Sequence, residues 1–76
     1  MRKTLNDENP VIAANIRRLR LDAGLTQGDV AAALGISHQQ FQKYESGRNR
    51  LPFQVVPRLC DLLGVPMEEL LDGVRT

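Results

Sequence analysis

Residues 26–47, TQGDVAAALGISHQQFQKYESG, leave this chain few folding options. Thr26 is a helix-capping residue with Asp29 three positions on, a capping-box-like pair. Ser37 is a second capping residue a short distance downstream. Each opens an apolar stripe at helical spacing, Val30 and Leu34 after the first, Phe41 and Tyr44 after the second. Gly35 and Gly47 stand where each stripe ends, and glycine tolerates the left-handed backbone that stops a helix. The spacing predicts two short helices joined by a tight turn. Ala31, Ala32 and Ala33 add little bulk, so another helix can approach closely, and Ile36 in the turn is expected to plug the core.

The flanks extend the helical pattern. Residues 1–8 carry no periodicity and are expected to form a frayed arm. Asn9-Pro10 is a helix start, because Asn caps and Pro suits the first helical position. Ile12, Ile16 and Leu19 then define one buried face, with Arg17, Arg18 and Asp22 mostly off it, and Gly24 ends the helix. After the polar, basic loop SGRNRLP, a fourth helix lies between Pro52 and Leu63. Val56, Leu59, Cys60 and Leu63 form its apolar face. Pro57 is awkward in a helix interior, so the regular helix either starts near it or is kinked there. Gly64 stops this helix, Pro66 opens a short fifth one over Met67 to Leu71, and Gly73 ends that. No strand pattern or repeat interrupts the series. The expected architecture is all-α, a five-helix domain over residues 9–73.

A chain of 76 residues has room for one core. Its apolar fraction of 42% and charged fraction of 25% are those of a folded domain. The single cysteine, Cys60, excludes an intramolecular disulfide and fits a reducing compartment. No apolar run approaches the ~18 residues a membrane span needs, and the N-terminus is too polar for a signal-peptide core. A cytoplasmic location is expected. The net charge of +1 is small but unevenly placed. Residues 1–24 and 35–50 each carry a basic excess, whereas residues 61–76 hold Asp61, Glu68, Glu69 and Asp72 against Arg75. Such asymmetry suits a protein that meets phosphate with one face, although a short chain can acquire it by chance.

The outward face of residues 37–44 carries the chemistry. A helix N-terminus presents free N–H groups and partial positive charge, which suit a phosphate. The amides of Gln39 and Gln42 can bond adenine N6 and N7. Lys43 can reach guanine O6 and N7 or a phosphate, and His38 can donate to either. On an isolated helix this Gln-rich surface would simply be solvated. Its place on the second helix of a tight pair, flanked by Arg48, Asn49 and Arg50, favours reading of double-stranded DNA.

The same segment, preceded by NIRRLRLDAGL, resembles the Cro/CI (XRE) family of helix-turn-helix regulators. Thr26-Gln27, Ala31, Gly35, Ile36, Ser37, Glu45 and Gly47 stand at the family's spacing, and the resemblance covers roughly residues 10–72. It implies a lambda-repressor-like five-helix DNA-binding domain whose third helix, from Ser37 to Ser46, enters the major groove. By resemblance, Gln27 binds a phosphate and braces that helix. Ser37, His38, Gln39, Gln42 and Lys43 fall on groove-facing positions, with base contacts expected from His38, Gln39, Gln42 and Lys43. Phosphate contacts are expected from Gln27, Ser37, Arg48, Asn49 and Arg50. Arg20 and Glu45 match a pair that ties the first helix to the third, a structural ion pair and not a DNA contact. Tyr44 departs from the aliphatic residue common at its position, and is read as a core aromatic with a wet hydroxyl.

The function that follows is a sequence-specific transcriptional regulator, a homodimeric repressor at an inverted-repeat operator. The competing reading is a protein-binding module, an antitoxin or adaptor, in which Phe53, Val55 or Met67 meets a heteromeric partner. Catalysis has little support. His38 is the only histidine, Cys60 sits on an apolar stripe, and no glycine-rich phosphate loop occurs. One His and one Cys do not make a zinc site without carboxylates nearby. No cofactor, metal or membrane partner is expected.

Overall fold

The computed structural model describes residues 9–74, all of whose regular elements are helical. The arm at residues 1–8 lies outside the described residues, as does Arg75. The elements are α1 (Asn9–Asp22), α2 (Gln27–Leu34), α3 (His38–Glu45), α4 (Val56–Leu63) and α5 (Met67–Leu70), with a 3₁₀ turn over Phe53–Val55 ahead of α4. α3 packs on α2 and α1, α4 lies against α2, and α5 closes on α1 and α4.

Helix ends are where the sequence acts most directly. The Thr26 hydroxyl accepts the Asp29 N–H at 3.0 Å, and the Asp29 carboxylate accepts the Thr26 N–H at 2.9 Å, a complete capping box. Ser37 Oγ accepts the Gln40 N–H at 3.0 Å and caps α3. α2 stops in a Schellman turn, in which the Gly35 N–H reaches Ala32 O and the Ile36 N–H reaches Ala31 O. Gly35 has φ +73°, a conformation side chains resist, so it sets the turn between α2 and α3. The same bonding pattern closes α1 at Gly24, α3 at Gly47 and α4 at Gly64. The residue after each of those glycines differs in use. Leu25, Ile36 and Val65 pack against the core, whereas Arg48, after α3, is exposed.

The boundaries differ from the sequence reading in small ways. α1 already includes Asn9, so Pro10 takes the second helical position. α3 ends at Glu45 with Ser46 as its cap, and α5 ends at Leu70 with Leu71 as its cap. Pro57 does not kink α4, because the 3₁₀ turn delivers the chain so that Pro57 falls in the first turn. A first-turn proline loses no helical hydrogen bond.

Among the described residues the buried apolar side chains form one cluster. Phe41, Ile16, Leu59, Leu70 and Val30 are its most completely buried large side chains, joined by Leu19, Leu34, Tyr44, Cys60 and Leu63. Among the described residues Arg20 is one buried polar side chain and Asn15 is the other. Its Nδ2 donates to Leu70 O at 2.9 Å and to Asp72 O at 2.7 Å, so it ties α1 to the end of α5. Among the described residues no buried side-chain polar atom lacks a partner, as expected of a well-formed interior.

The capping box also gives a pH signature. Hydrogen bonds from the Thr26 backbone and then from its hydroxyl hold the Asp29 carboxyl below the usual aspartate range. A carboxyl depressed in the folded state contributes stability above its unfolded value, about 3.9, and loses it as pH falls through the folded value. Asp29→Asn should therefore melt earlier than wild type at pH 7 and together with it in strong acid. Thr26→Ala should cost about 1 kcal/mol at pH 7, a drop of roughly 4–8 °C in Tm, read by thermal melts followed by circular dichroism.

Candidate nucleic-acid interface

α3 is held by polar bonds at both ends and by the core along its inner face. Phe41 and Tyr44 point inward. Arg20, buried on α1, grips Glu45 in two hydrogen bonds, Nε to Oε2 at 2.6 Å and Nη2 to Oε1 at 3.2 Å. Its third bond, Nη1 to Leu25 O at 2.8 Å, fixes the loop that leads into α2. One guanidinium thus joins α1, the α1–α2 loop and the end of α3. The fork geometry of Arg suits this, where a single ammonium would not.

Gln27, at the start of α2, occupies the centre of a second set of bonds. Its Nε2 donates to Glu45 Oε1 at 2.6 Å, while its Oε1 meets His38 Nε2 at 3.1 Å and Gln42 Nε2 at 3.2 Å. The Gln27 side-chain amide is therefore engaged within the protein on both atoms. Its bracing of α3 is direct. A phosphate contact from it would have to use the backbone N–H, or follow rearrangement of these bonds.

His38, Gln39 and Gln42 are exposed on the outer face of α3, and Lys43 is half-buried. Ser37 is exposed at the helix start with its hydroxyl already in the cap. Arg48, Asn49 and Arg50 are exposed in the following loop. A polar hollow beside α3 is lined by Gln27, Gln39, Gln42, Lys43 and Arg48, and also by Arg17. Arg17 escaped the sequence reading as a site residue. It marks only the polar side of α1 in sequence, and its approach to α3 is tertiary. The hollow gathers Arg17, Lys43 and Arg48 around amide groups, with Glu45 already committed to Arg20 and Gln27.

Cys60 is buried, and burial first, then the Asp61 charge, pushes its thiol up, away from the reactive thiolate. Among the described residues no cluster of His, Cys, Asp or Glu could hold a metal ion. Among them, too, no helix is long and apolar enough to cross a membrane.

A short helix seated against a second by a glycine turn, with a polar outer face, defines a helix-turn-helix domain. Comparison with known proteins gives the same class. The model of the helix-turn-helix domain family matches residues 11–72, and the chain belongs to that family, in its Cro/CI (XRE) type. It is 36% identical over 62 residues to an HTH-type transcriptional regulator of Sinorhizobium medicae, covering 78% of this chain and 45% of the relative. It is 30% identical over 66 residues to the cryptic phage CTXphi transcriptional repressor RstR of Vibrio cholerae, covering 87% and 60%. The chain thus spans about half the length of these relatives. Among solved structures it resembles the clp gene regulator ClgR of Corynebacterium glutamicum, with a TM-score of 0.78 and 26% identity over 92% of this chain and 72% of that one.

Proposed function

We propose that this chain is a sequence-specific double-stranded-DNA-binding transcriptional regulator, a cytoplasmic repressor acting as a homodimer on an inverted repeat. The observation that carries the reading is the outer face of α3. His38, Gln39 and Gln42 stand exposed on a helix clamped by Arg20, Glu45 and Gln27, with Arg17 and Arg48 lining the hollow beside it. A rigid helix bearing amides and flanked by cations meets both needs of DNA reading: phosphate contacts to position it and base-edge contacts to specify the site. In this reading His38, Gln39, Gln42 and Lys43 contact bases. Ser37, Arg48, Asn49 and Arg50 contact phosphates, joined by the Gln27 backbone. The names of the relatives, several of them transcriptional regulators and one a repressor, support it.

The homodimer contact belongs to an apolar patch that begins beside Asn49 and Arg50. Phe53, Met67 and Leu71 are exposed there, around an apolar groove of about 320 Å³ that Ile12, Tyr44 and Leu70 help line. Apolar surface gathered in this way marks an interface more often than open solvent. The same groove is the one feature that favours the antitoxin or adaptor reading, with a different protein in place of the second copy. Selection of sites from a random duplex pool, with the complex weighed in the same buffer, separates the two. An enriched inverted repeat with half-sites about 34 Å apart and two protomers bound is expected. A folded protein that enriches no sequence overturns the DNA reading.

The roles within the face separate by salt. Gln39→Ala should relax discrimination at one or two base pairs by roughly 1–3 kcal/mol. Arg48→Ala should weaken cognate and scrambled duplexes alike and reduce the slope of log affinity against log salt by about 1. Anisotropy titrations of both variants across a salt series read the two effects directly.

A further inference from the structure

We propose that His38, as a neutral imidazole, reads DNA as a hydrogen-bond acceptor through Nδ1, and that Glu45 and Gln27 impose this tautomer on it. The proposal rests on the DNA-binding reading above and assigns an atom to one of its contacts.

The bonds fix each donor in turn. A carboxylate paired with a guanidinium is ionised and only accepts, so the atom of Gln27 facing Glu45 Oε1 at 2.6 Å is the amide nitrogen. The carbonyl oxygen of Gln27 therefore points the other way, toward α3, and a carbonyl oxygen also only accepts. Both atoms that meet it, Gln42 Nε2 at 3.2 Å and His38 Nε2 at 3.1 Å, must carry a hydrogen. A neutral imidazole has a single N–H, so with Nε2 protonated Nδ1 keeps a bare lone pair. The order runs from the buried cation outward: Arg20 gives to Glu45, Glu45 takes from Gln27, and Gln27 takes from His38. Gln42 is less restricted, because its second N–H and its carbonyl stay available, the two groups that a bidentate contact with adenine uses.

A lone-pair acceptor in the major groove pairs with an exocyclic amino group, N6 of adenine or N4 of cytosine. It gains nothing from guanine O6 and N7 or from thymine O4, which are acceptors themselves. Gln27 and Glu45 are positioning residues in this scheme, since each acts on the base through His38.

Two measurements test the assignment. The first needs no DNA. Long-range ¹H–¹⁵N NMR of the labelled protein at pH 8 should show the proton of His38 on Nε2 with slowed exchange and Nδ1 unprotonated. Gln27→Met, with its fold checked by circular dichroism, should lose that protection. A proton on Nδ1, or protection unchanged in Gln27→Met, overturns the imposed polarity. The second uses a selected operator at pH 8, at the base pair where His38→Ala loses preference. Replacing adenine by purine, or cytosine by 2-pyrimidinone, deletes the amino group. It should weaken wild type about fivefold, the scale of one hydrogen bond, and leave His38→Ala unaffected. Replacing the purine of that pair by its 7-deaza analogue, which deletes N7, should leave the His38 contribution intact. Loss with the 7-deaza base and none with the amino-deleted base overturns the proposal alone. Failure of wild type to select any site overturns the DNA-binding reading itself.

Discussion

Arg20→Ala is expected to lose about 3–5 kcal/mol, the usual effect of leaving one member of a buried ion pair uncompensated. The Glu45 side chain is only 4% exposed and takes three of its bonds from Arg20 and Gln27. Without Arg20, that carboxylate keeps a single amide donor in a site with little water, and Leu25 O loses its guanidinium as well. Domains have roughly 0.05–0.15 kcal/mol of stability per residue, so the loss is a large share of what a chain of this size has. Tm should fall by on the order of 15 °C or more. The double variant Arg20→Met, Glu45→Leu should be milder than either single truncation, because no buried charge remains. A melt of Arg20→Ala within a few degrees of wild type would contradict the clamp.

Phe41→Ala is expected to cost as much by a different route. Phe41 is 0% exposed and sits between α3 and the elements that support it. Truncation removes its transfer free energy and leaves a cavity that neighbours fill only partly, typically about 3–5 kcal/mol for Phe. Denaturant unfolding should show a lower midpoint with a similar slope, the mark of lost stability without a changed unfolded state. A loss well under 1 kcal/mol would mean that α3 is not seated by this side chain. The two variants differ in one respect. Phe41→Leu should recover much of the stability, since the smaller loss of volume leaves less cavity, whereas Arg20→Lys should recover little, because an ammonium cannot bond both carboxylate oxygens and Leu25 O in the same way.

The parts of the fold legible in the sequence are those set by local bonding. Thr26 with Asp29, Ser37, and the glycines that end α1 to α4 act on their own neighbours, so residue type and spacing are enough. The core stripes on α1, α2, α3 and α4 follow from period alone. Pro57 was ambiguous because its place in α4 depends on the path of residues 47–55, which is decided by tertiary packing and the 3₁₀ turn. Asn15 went unread although it carried a signal. It occupies a slot in the run Ile12, Ile16 and Leu19 where an apolar residue is expected, and a polar side chain there needs buried partners. Those partners, Leu70 O and Asp72 O, lie at the far end of the chain.

The site was legible in outline. The face of α3, the loop with Arg48 and the Arg20–Glu45 match all follow from position in the motif. The bond pattern around Gln27 does not, because hydrogen-bond direction among Glu45, Gln27, His38 and Gln42 exists only once α2 and α3 are packed. Arg17 joins the polar hollow for the same reason.

The central claim is that α3 distinguishes one duplex sequence from another. The most direct test is fluorescence anisotropy of the purified chain on its selected operator and on a scrambled duplex of equal length and composition, at 150 mM salt. Affinity for the operator higher by about 10³-fold or more is the predicted result, the lower end of the range for specific DNA-binding proteins. Equal affinities for the two duplexes would contradict it.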